Sequence, residues 1–332
     1  MSKRLVADIN QAAQRLLQGE LVAFPTETVY GLGADASNPD AVAAIFAAKG
    51  RPSNHPLIVH VAPQADLLQW ASHIPAEAQK LIDAFWPGPL TLILAKADSV
   101  NTAVTGGQAT IGLRCPSHPV AQQLLKQFSQ LKGPTQPAGI AAPSANRFGH
   151  VSPTQAIHVR DEFAHTSVLI HVVEGGNAEV GIESTIVDVS RVEQGVAPVV
   201  LRPGHISAAQ IEQVLNRPLG SKQAPDTPRV SGALKAHYAP TTPLYLVKNA
   251  DLEHLDQANT VLVAYKAPVN SKIHVYKAPA QAELYASQLY AMLRQLDTQG
   301  YEAIYVQQPP DTADWEAVND RLGRAAAAFT PN

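Results

Sequence analysis

The chain has 332 residues, of which 45% are hydrophobic and 16% are charged, and its formal net charge is -3. This length predicts a large core and, at roughly 100–200 residues per domain, two domains. The slightly negative balance excludes a global cationic field that would draw the protein onto nucleic acid. With one cysteine and no apolar run of about 18 residues, a disulfide framework and a membrane span are excluded, so we expect a cytoplasmic protein.

Up to residue 207, short apolar runs alternate with amphipathic segments. The segment SNPDAVAAIFAAKG predicts a helix with Asn38 as its N-cap, Pro39 in its first turn and Gly50 just past its end. The other predicted helices are PAEAQKLIDAF, HPVAQQLLKQF, SPTQAIHVRDEF and SAAQIEQVLN, and the predicted strands are ELVAFPT, PLIVHV, LTLILA, ATIGLR, SVLIHVV, ESTIVDV and APVVLR. This mixed order favours an α/β sheet that contains antiparallel pairs.

Residues 216–240 are rich in proline, glycine, serine and lysine and show no sustained period. A structureless stretch of this length is unusual inside a compact domain, so we interpret it as an interdomain linker. After it, TPLYLV, TVLVAY and EAIYVQ predict strands, and QAELYASQLYAMLRQLDTQG and DWEAVNDRLGRAAAAF predict helices. These elements predict a second, smaller α/β domain.

The segment FPTETVYGLGAD, residues 24–35, joins the first predicted strand to the first capped helix. It combines Thr26, Thr28 and Tyr30 with two glycines, which suits a backbone that approaches a small polar ligand. An ordinary strand-to-helix loop explains the same residues equally well. No G-x-x-x-x-G-K-[ST] motif occurs in the chain, which excludes a P-loop nucleotide site.

The segment KGRPSNHPLIVHV, residues 49–61, gathers two fixed cations and two histidines around a predicted strand. Lys49 alone is explained by the dipole of the helix that it ends. His60 alone is more often a core histidine with a backbone partner. Arg51 lies beyond the helix end, and arginine suits a bidentate grip on phosphate or carboxylate. Together with His55, these side chains favour an anion site.

Other donors stand at the ends of further predicted strands: Arg114 in ATIGLRCP, Ser144 and Asn146 in IAAPSANRFG, Ser184 in GIESTIVDV, and Arg202 in VVLRPG. Taken singly, each arginine is more often a surface ion pair, and each serine or asparagine a turn residue. Taken together, they predict a cleft for a ligand with several negative charges. Such a cleft can catalyse displacement at phosphorus, where positioning and charge stabilisation do most of the work.

In chain order, the motifs PTETVYGLGAD, KGRP with HPLIVHV, SAN, GIESTIVD, LRPG and HYAP resemble those of the threonylcarbamoyl-AMP synthases in their two-domain form. NDRLGRAA is similar to that family's C-terminal helix, so the resemblance covers nearly the whole chain. It implies a YrdC-like catalytic domain in residues 1–207, built on a twisted mixed sheet with helices. It further implies a final helix and a linker over the active site in residues 208–240, and a small Rossmann-like α/β domain in residues 241–332.

The resemblance implies a reaction in which L-threonine and bicarbonate form threonylcarbamate, whose carboxylate attacks the α-phosphorus of ATP and releases pyrophosphate. The residues that it implies for threonine are Thr28, His60, Arg114, Ala142 and Ser184. Those for ATP are Arg51, His55, Thr110, Ser144, Asn146, Ser152, Arg202 and Tyr238, and the catalytic basic pair is Lys49 and Arg51. Mg²⁺ accompanies ATP and is expected to be held mostly by phosphates. A downstream tRNA threonylcarbamoyl transferase would use the product.

One segment departs from the family's pattern. The family's linker carries a Gly-Met-Lys-Tyr-Arg-like run before its His-Tyr element, whereas this chain has SGALKAHYAP. Lys235, His237 and Tyr238 are kept, but that aromatic residue and arginine are missing. The departure bears on the contact between Tyr238 and the nucleotide.

Two other functions fit parts of the sequence. An RNA-binding module is one, because YrdC-like domains have a basic concave surface, although the near-neutral charge limits this to a weak RNA contact. A relative that adenylates carbamate for hydrogenase maturation is the other. Those relatives sit within much longer chains with zinc-finger motifs, which are absent from this sequence.

Overall fold

The computed structural model describes residues 8–222, 226–266 and 273–330, and these form two β-sheets accompanied by helices. The first sheet contains β1 (Leu21–Phe24), β2 (Gly31–Asp35), β3 (Ile58–His60), β4 (Leu90–Ala95), β5 (Thr110–Arg114), β6 (Ile140–Ala141), β7 (Ile170–Val172), β8 (Thr185–Asp188) and β9 (Val199–Arg202). The second contains β10 (Leu244–Val247), β11 (Thr260–Ala264), β12 (His274–Lys277) and β13 (Ala303–Gln307). The α-helices are α1 (Ile9–Leu17), α2 (Pro39–Lys49), α3 (Ala76–Phe85), α4 (Thr102–Thr105), α5 (Pro119–Lys132), α6 (Ala156–Glu162), α7 (Ala208–Leu215), α8 (Ala282–Asp297) and α9 (Glu316–Ala326).

The first sheet is mixed, with the strand order β7-β1-β2-β6-β3-β5-β4-β8-β9. The pairs β1–β2, β4–β5 and β8–β9 are antiparallel, whereas β1–β7, β3–β5 and β4–β8 are parallel. The mixed α/β sheet expected from the sequence is thereby confirmed. Pairing of β3 with β5 makes His60 and Arg114 register partners, so two strand ends meet at one edge.

The boundaries of α2 confirm the capping signals in its sequence. The Asn38 side chain accepts hydrogen bonds from the backbone N–H groups of Asp40 and Ala41. Gly50 ends the helix with a φ of 62°, in the left-handed region that glycine tolerates. Lys49 therefore occupies the last turn, and Arg51 begins the segment that leads into β3.

Two strands differ from the sequence prediction. The interpretation of residues 24–35 as an ordinary loop is wrong, because β2 lies within this segment and pairs with β1. A Cβ on Gly33 would lie 2.7 Å from Ile140 Cγ2 and 2.8 Å from Phe24 Cε1, so this glycine serves close strand packing and not a turn. The strand β12 was not predicted, because its residues are exposed or half-buried and form no apolar run.

The second sheet is parallel throughout, in the order β10-β13-β11-β12. Beside it, α8 buries Tyr285, Leu289, Met292 and Leu296, which recur at the helical spacing of an apolar stripe. An apolar cluster continues from this helix into the first part of the chain, where it includes Val151. The core beside the second sheet therefore extends to loop residues of the first part of the chain.

The linker lies against both parts of the molecule. Residues 216–243 contain no helix or extended strand where they are described, and residues 223–225 lie outside the described residues. The His237 N–H donates a hydrogen bond of 3.2 Å to the Arg324 carbonyl in α9. The Ala239 N–H donates a hydrogen bond of 2.9 Å to the Gly149 carbonyl, so the end of the linker contacts both α9 and the loop after β6.

Candidate active site

A cleft lies where the ends of β2, β3, β5, β8 and β9 meet the linker. All the residues that the sequence predicts for threonine line it, namely Thr28, His60, Arg114, Ala142 and Ser184. Ser144, Arg202 and Tyr238 line it from the set predicted for ATP. The linker also contributes Ser231 and His237 to the lining. The fold thus brings donors from distant motifs into one space.

Arg114 ends β5 and is held by the loop before β2. Its Nη1 donates a hydrogen bond of 2.9 Å to Thr28 Oγ1, and its Nη2 lies 2.6 Å from Glu27 Oε1 in a buried ion pair. Neither Nε nor Nη2 makes an aligned hydrogen bond with the described residues. A buried guanidinium whose Nε has no partner suits a ligand carboxylate.

His60 stands beside Arg114 at the end of β3. Its buried ring packs edge-on against Phe24 with centroids 6.0 Å apart, and its Nδ1 has no hydrogen-bond partner in the described part of the chain. Burial, and then the charge of Arg114, lower the pKa of His60 to about 3. The imidazole is therefore neutral at pH 7 and offers a ligand either a donor or an acceptor.

Arg202 ends β9 and fixes the floor of the cleft at Ser184. Its Nε and Nη2 donate to the Ser184 carbonyl at 3.1 and 2.9 Å, and Nη2 also reaches Ser184 Oγ at 3.1 Å. Thr91 Oγ1 lies 2.8 Å from the same Ser184 hydroxyl. Burial lowers the pKa of Arg202. Ser184 is thereby held on both its backbone and its side chain.

Lys49 holds the loop that carries the S-x-N motif. Its buried Nζ donates to the Ser144 carbonyl at 2.5 Å and to the Asn146 carbonyl. Burial, and then the charge of Arg51, lower the pKa of Lys49 well below its usual value. The Asn146 side-chain amide donates to two backbone carbonyls of the same loop. Neither Lys49 nor Asn146 is among the residues that line the cleft.

Arg51 connects the helix end to the linker. Its Nη2 donates to the Pro56 carbonyl at 2.9 Å, and both terminal nitrogens lie 3.4 Å from Ser231 Oγ. Its Nε is buried without a hydrogen-bond partner among the described residues. Burial lowers the pKa of Arg51 to about 10, so the group stays charged at pH 7. Arg51 therefore contacts Ser231, which lines the cleft.

A second, smaller hollow adjoins the cleft through Ile58 and Ser231. It is lined by Thr110, by apolar side chains of the first sheet and by Arg229 of the linker. The side-chain amide of Gln108 donates a hydrogen bond of 3.0 Å to the Arg229 carbonyl, which ties the linker to the loop before β5. Thr110 thus borders this hollow and not the main cleft.

His55 lies outside both linings, at the start of a row of rings. Its ring packs edge-on against Phe148 at 5.5 Å, Phe148 packs against His237 at 5.9 Å, and His237 packs against Tyr238 at 4.2 Å between centroids. Burial, and then Arg51, lower the pKa of His55. His55 is therefore connected to the cleft-lining residue His237 through the ring of Phe148.

Tyr238 brings the linker into the cleft with an unusual backbone conformation. Its φ is 63°, which is uncommon for a residue that has a side chain. A Cβ on Gly232 would lie 2.0 Å from Tyr238 Oη, so glycine is required at position 232. The hydroxyl is buried, has no hydrogen-bond partner in the described residues, and belongs to a cleft-lining side chain. Burial raises its pKa, so it stays protonated.

Ser152 does not line the cleft, because its buried hydroxyl donates a hydrogen bond of 2.5 Å to Glu183 Oε1. Glu183 does line the cleft, and it was not predicted from the sequence. An acidic residue directly before Ser184, among motifs otherwise rich in donors, was the available signal. Its other partners, Tyr290 and Arg321, lie 107 and 138 residues away in the chain, so no local pattern indicated them.

Residues 8–222, 226–266 and 273–330 contain no group of three or more His, Cys, Asp or Glu side chains that could hold a metal ion. None of the helices there is long and apolar enough to cross a membrane. The lining of the cleft is rich in cations and neutral donors, and the carboxylate of Glu183 within it is already paired with Arg321.

Comparisons with known families match both parts of the chain. A family model described as "Telomere recombination" matches residues 14–204. A model described as "Threonylcarbamoyl-AMP synthase, C-terminal domain" matches residues 206–327. Together the two models span both sheets and the linker.

Curated relatives and a solved structure resemble nearly the whole chain. The threonylcarbamoyl-AMP synthase of Bacillus subtilis is 39% identical, covering 96% of this chain and 92% of the relative. That of Pyrococcus abyssi is 35% identical, covering 96% and 94%. The crystal structure of P. abyssi Sua5 complexed with L-threonine has a TM-score of 0.84 and 34% identity, covering 97% of this chain and 96% of that chain.

Proposed function

The chain belongs to the threonylcarbamoyl-AMP synthase family, and on that premise we propose that it converts L-threonine, bicarbonate and ATP into threonylcarbamoyl-AMP and pyrophosphate. One observation carries the proposal: Arg114 Nε, His60 Nδ1 and Tyr238 Oη belong to cleft-lining residues and have no hydrogen-bond partner in the described chain. Substrates that bring a carboxylate and phosphates supply the partners that these buried groups lack.

The proposed chemistry begins at the amino group of threonine. That nitrogen forms a bond to the carbon of bicarbonate with loss of water, and an N-carboxylate results. A carboxylate oxygen then attacks the α-phosphorus of ATP, and the bond to the α–β bridging oxygen breaks as pyrophosphate leaves. Arg114 binds the α-carboxylate of threonine, and Thr28, His60, Ser184 and the backbone at Ala142 complete the pocket, in agreement with the donors found there.

The proposed nucleotide site lies toward the linker. Arg51 and Arg202 both contact Ser231, and as buried cations they stabilise the charge that develops on the phosphates. Lys49 supports the loop of Ser144 and Asn146 at this side of the cleft. We propose that the adenosine binds on the side of Thr110 and that Tyr238 covers the nucleotide from the linker. His55 and Ser152 stay proposed nucleotide residues, although neither lines the cleft.

Mg²⁺ enters this proposal with ATP. Hard oxygen ligands suit it, and it commonly binds through substrate phosphates with few protein ligands. When bound, it neutralises phosphate charge and orients the leaving group. The chain's own part is the charge of Arg51 and Arg202. We place the activity in the cytoplasm and expect a tRNA threonylcarbamoyl transferase to consume the product.

The test is pyrophosphate release by the wild-type protein in ATP, bicarbonate and Mg²⁺, with and without L-threonine. We expect release only when threonine and bicarbonate are both present, and little release with L-valine, which lacks the hydroxyl. Release that ignores threonine would overturn the proposal and favour a relative that adenylates carbamate itself. RNA affinity without turnover would favour an RNA-binding module instead.

A further inference from the structure

Glu183 is a buried carboxylate between the cleft and α8 and α9. Its Oε2 accepts hydrogen bonds from Tyr290 Oη at 2.8 Å and from Arg321 Nε at 2.9 Å. Its Oε1 accepts the bond from Ser152 Oγ. Residues from both parts of the chain therefore converge on one side chain that lines the cleft.

The charge of Glu183 depends on these partners. Burial alone raises its pKa, but Arg321, and then Arg202, lower the pKa of Glu183 to about 2, so it is ionised at pH 7. Arg321 is itself fully buried, and its Nη1 also pairs with Asp320 at 2.8 Å. A buried ion pair of this kind is costly to break, because the partner that remains is left without compensation.

The same contacts reach the backbone next to Ser184. Arg321 Nη2 lies 3.4 Å from the Glu183 carbonyl oxygen, to which it donates a hydrogen bond. On another side, Gly204 packs so closely that a Cβ there would lie 2.4 Å from Thr185 N and 2.8 Å from the Glu183 carbonyl oxygen. The peptide that carries Ser184 therefore has little freedom while Arg321 is in place.

Tyr290 and Arg321 also seat the linker. The rings of Tyr290 and Tyr238 are stacked, with centroids 5.7 Å apart and an interplanar angle of 29°. The Arg321 guanidinium lies over the Tyr238 ring at 5.4 Å from its centroid. Tyr290 and Arg321 thus each contact Glu183 in the cleft. They also contact the linker residue Tyr238.

We infer that Tyr290 and Arg321 are positioning residues for the reaction: through Glu183 they hold Ser184 where it binds L-threonine. This inference rests on the proposed function and extends it to named residues of α8 and α9. Neither side chain lines the cleft, so each acts through Glu183 and not by touching substrate. The threonine site is therefore built by both parts of the chain.

The first test compares two tyrosines of the same helix in the full-length protein. Tyr290→Phe removes only the hydroxyl that bonds Glu183. Tyr285→Phe is the matched control, because Tyr285 is equally buried and its hydroxyl has no hydrogen-bond partner in the described residues. We expect Tyr290→Phe to raise the threonine concentration for half-maximal pyrophosphate release by about tenfold, since small misplacements of binding groups cost up to about 100-fold. The control and the ATP dependence should stay within about twofold of wild type.

A second test asks whether Tyr290 acts through Glu183. In a double-mutant cycle, Tyr290→Phe should add almost nothing to the threonine dependence of Glu183→Gln, because both changes disturb one unit. Arg321→Lys, which keeps the charge but loses the planar fork, should fall between wild type and Arg321→Gln. Thermal unfolding of each variant separates misfolding from misplacement.

The outcomes distinguish a failure of the proposed function from a failure of the inference about Tyr290 and Arg321. If the wild type shows no threonine-dependent pyrophosphate release, the proposed function fails. If the wild type is active but Tyr290→Phe has the same threonine dependence as Tyr285→Phe, the inference fails alone. Full additivity of Tyr290→Phe and Glu183→Gln would also overturn it, because the two residues would then act separately.

Discussion

Arg202 Nη1 donates a hydrogen bond of 3.0 Å to the backbone carbonyl of Ser231. The same guanidinium holds the Ser184 carbonyl through Nε and Nη2, so one buried side chain joins the floor of the cleft to the linker. The Ser231 hydroxyl lies 3.4 Å from Arg51 as well. Cations from two separate sequence motifs therefore meet at a single linker residue.

Gly232, the next residue, tests how closely the linker must fit. Gly232→Ala would place a Cβ 2.0 Å from Tyr238 Oη on a backbone with φ of 77°, so we expect Tyr238 to be displaced from the cleft. Pyrophosphate release should fall by about tenfold or more if Tyr238 positions the nucleotide. Steady-state kinetics with varied ATP would measure this loss.

Gly195→Ala is the matched control for that variant. Gly195 has a similar φ of 83° and nothing within 4 Å of the added Cβ, so it carries the backbone strain without the clash. We expect it to lower the free energy of unfolding by about 1–2 kcal/mol and to leave turnover unchanged. Equal activity of the two variants would show that the fit of Tyr238 to Gly232 does not matter.

Arg51→Ala should weaken the use of ATP and spare the use of threonine. The variant removes a charge-assisted contact worth about 1.5–3 kcal/mol, which corresponds to a rise of roughly 10- to 150-fold in the ATP concentration for half-maximal rate. Arg217→Ala, at a partly exposed surface pair with Glu77, serves as the control. An unchanged ATP dependence in Arg51→Ala would show that Arg51 does not bind the nucleotide.

Arg114→Lys should have the opposite selectivity. Lysine keeps the charge beside Glu27 but loses the planar fork, so the threonine concentration for half-maximal rate should rise by about tenfold while the ATP dependence stays. Arg15→Lys, at the surface ion pair with Glu20, is the matched control and should leave both dependences unchanged. An identical threonine dependence in Arg114→Lys and wild type would contradict the carboxylate clamp.

The buried histidines predict how stability depends on pH. Burial lowers the pKa of both His60 and His237 to about 3, whereas the ordinary value is 6.5. Between pH 3 and pH 6.5 the unfolded chain therefore binds protons at these two histidines, whereas the folded chain does not. The free energy of unfolding is thus highest above pH 6.5 and falls below it, by up to about 1.4 kcal/mol per pH unit for each imidazole.

Urea unfolding between pH 7.5 and pH 5 would measure that slope. His60→Asn should flatten it, whereas His165→Asn, at an exposed position, should leave it as in the wild type. A slope that is the same in His60→Asn and wild type would mean that His60 is protonated alike in the folded and unfolded chains.

Much of the site was predictable because strand alternation and strand ends are local signals. The sequence pattern placed His60 on a strand and Arg114 at the end of another, and the sheet makes them register partners. Ser184 and Arg202 were predicted as separate donors, and the structure shows their hydrogen bonds. What the sequence lacked was the sheet order, which decides which strand ends meet.

The rest depends on contacts between residues far apart in the chain. The strand at Gly33 was missed because the residues that pack against this glycine, Ile140 among them, come from other strands. Glu183 showed no local sign of its partners, which lie on α8 and α9. Tertiary packing and buried ion pairs of this kind leave no periodic pattern, so only the structure reveals them.

The most direct test of the account is to identify the product. The wild-type protein is incubated with ATP, Mg²⁺, L-threonine and ¹³C-labelled bicarbonate, and the adenylates are analysed by mass spectrometry. We expect an adenylate that contains both the threonine and the ¹³C label, formed in equal amount to pyrophosphate. An adenylate without the label, or pyrophosphate release with no threonine-containing adenylate, would contradict it.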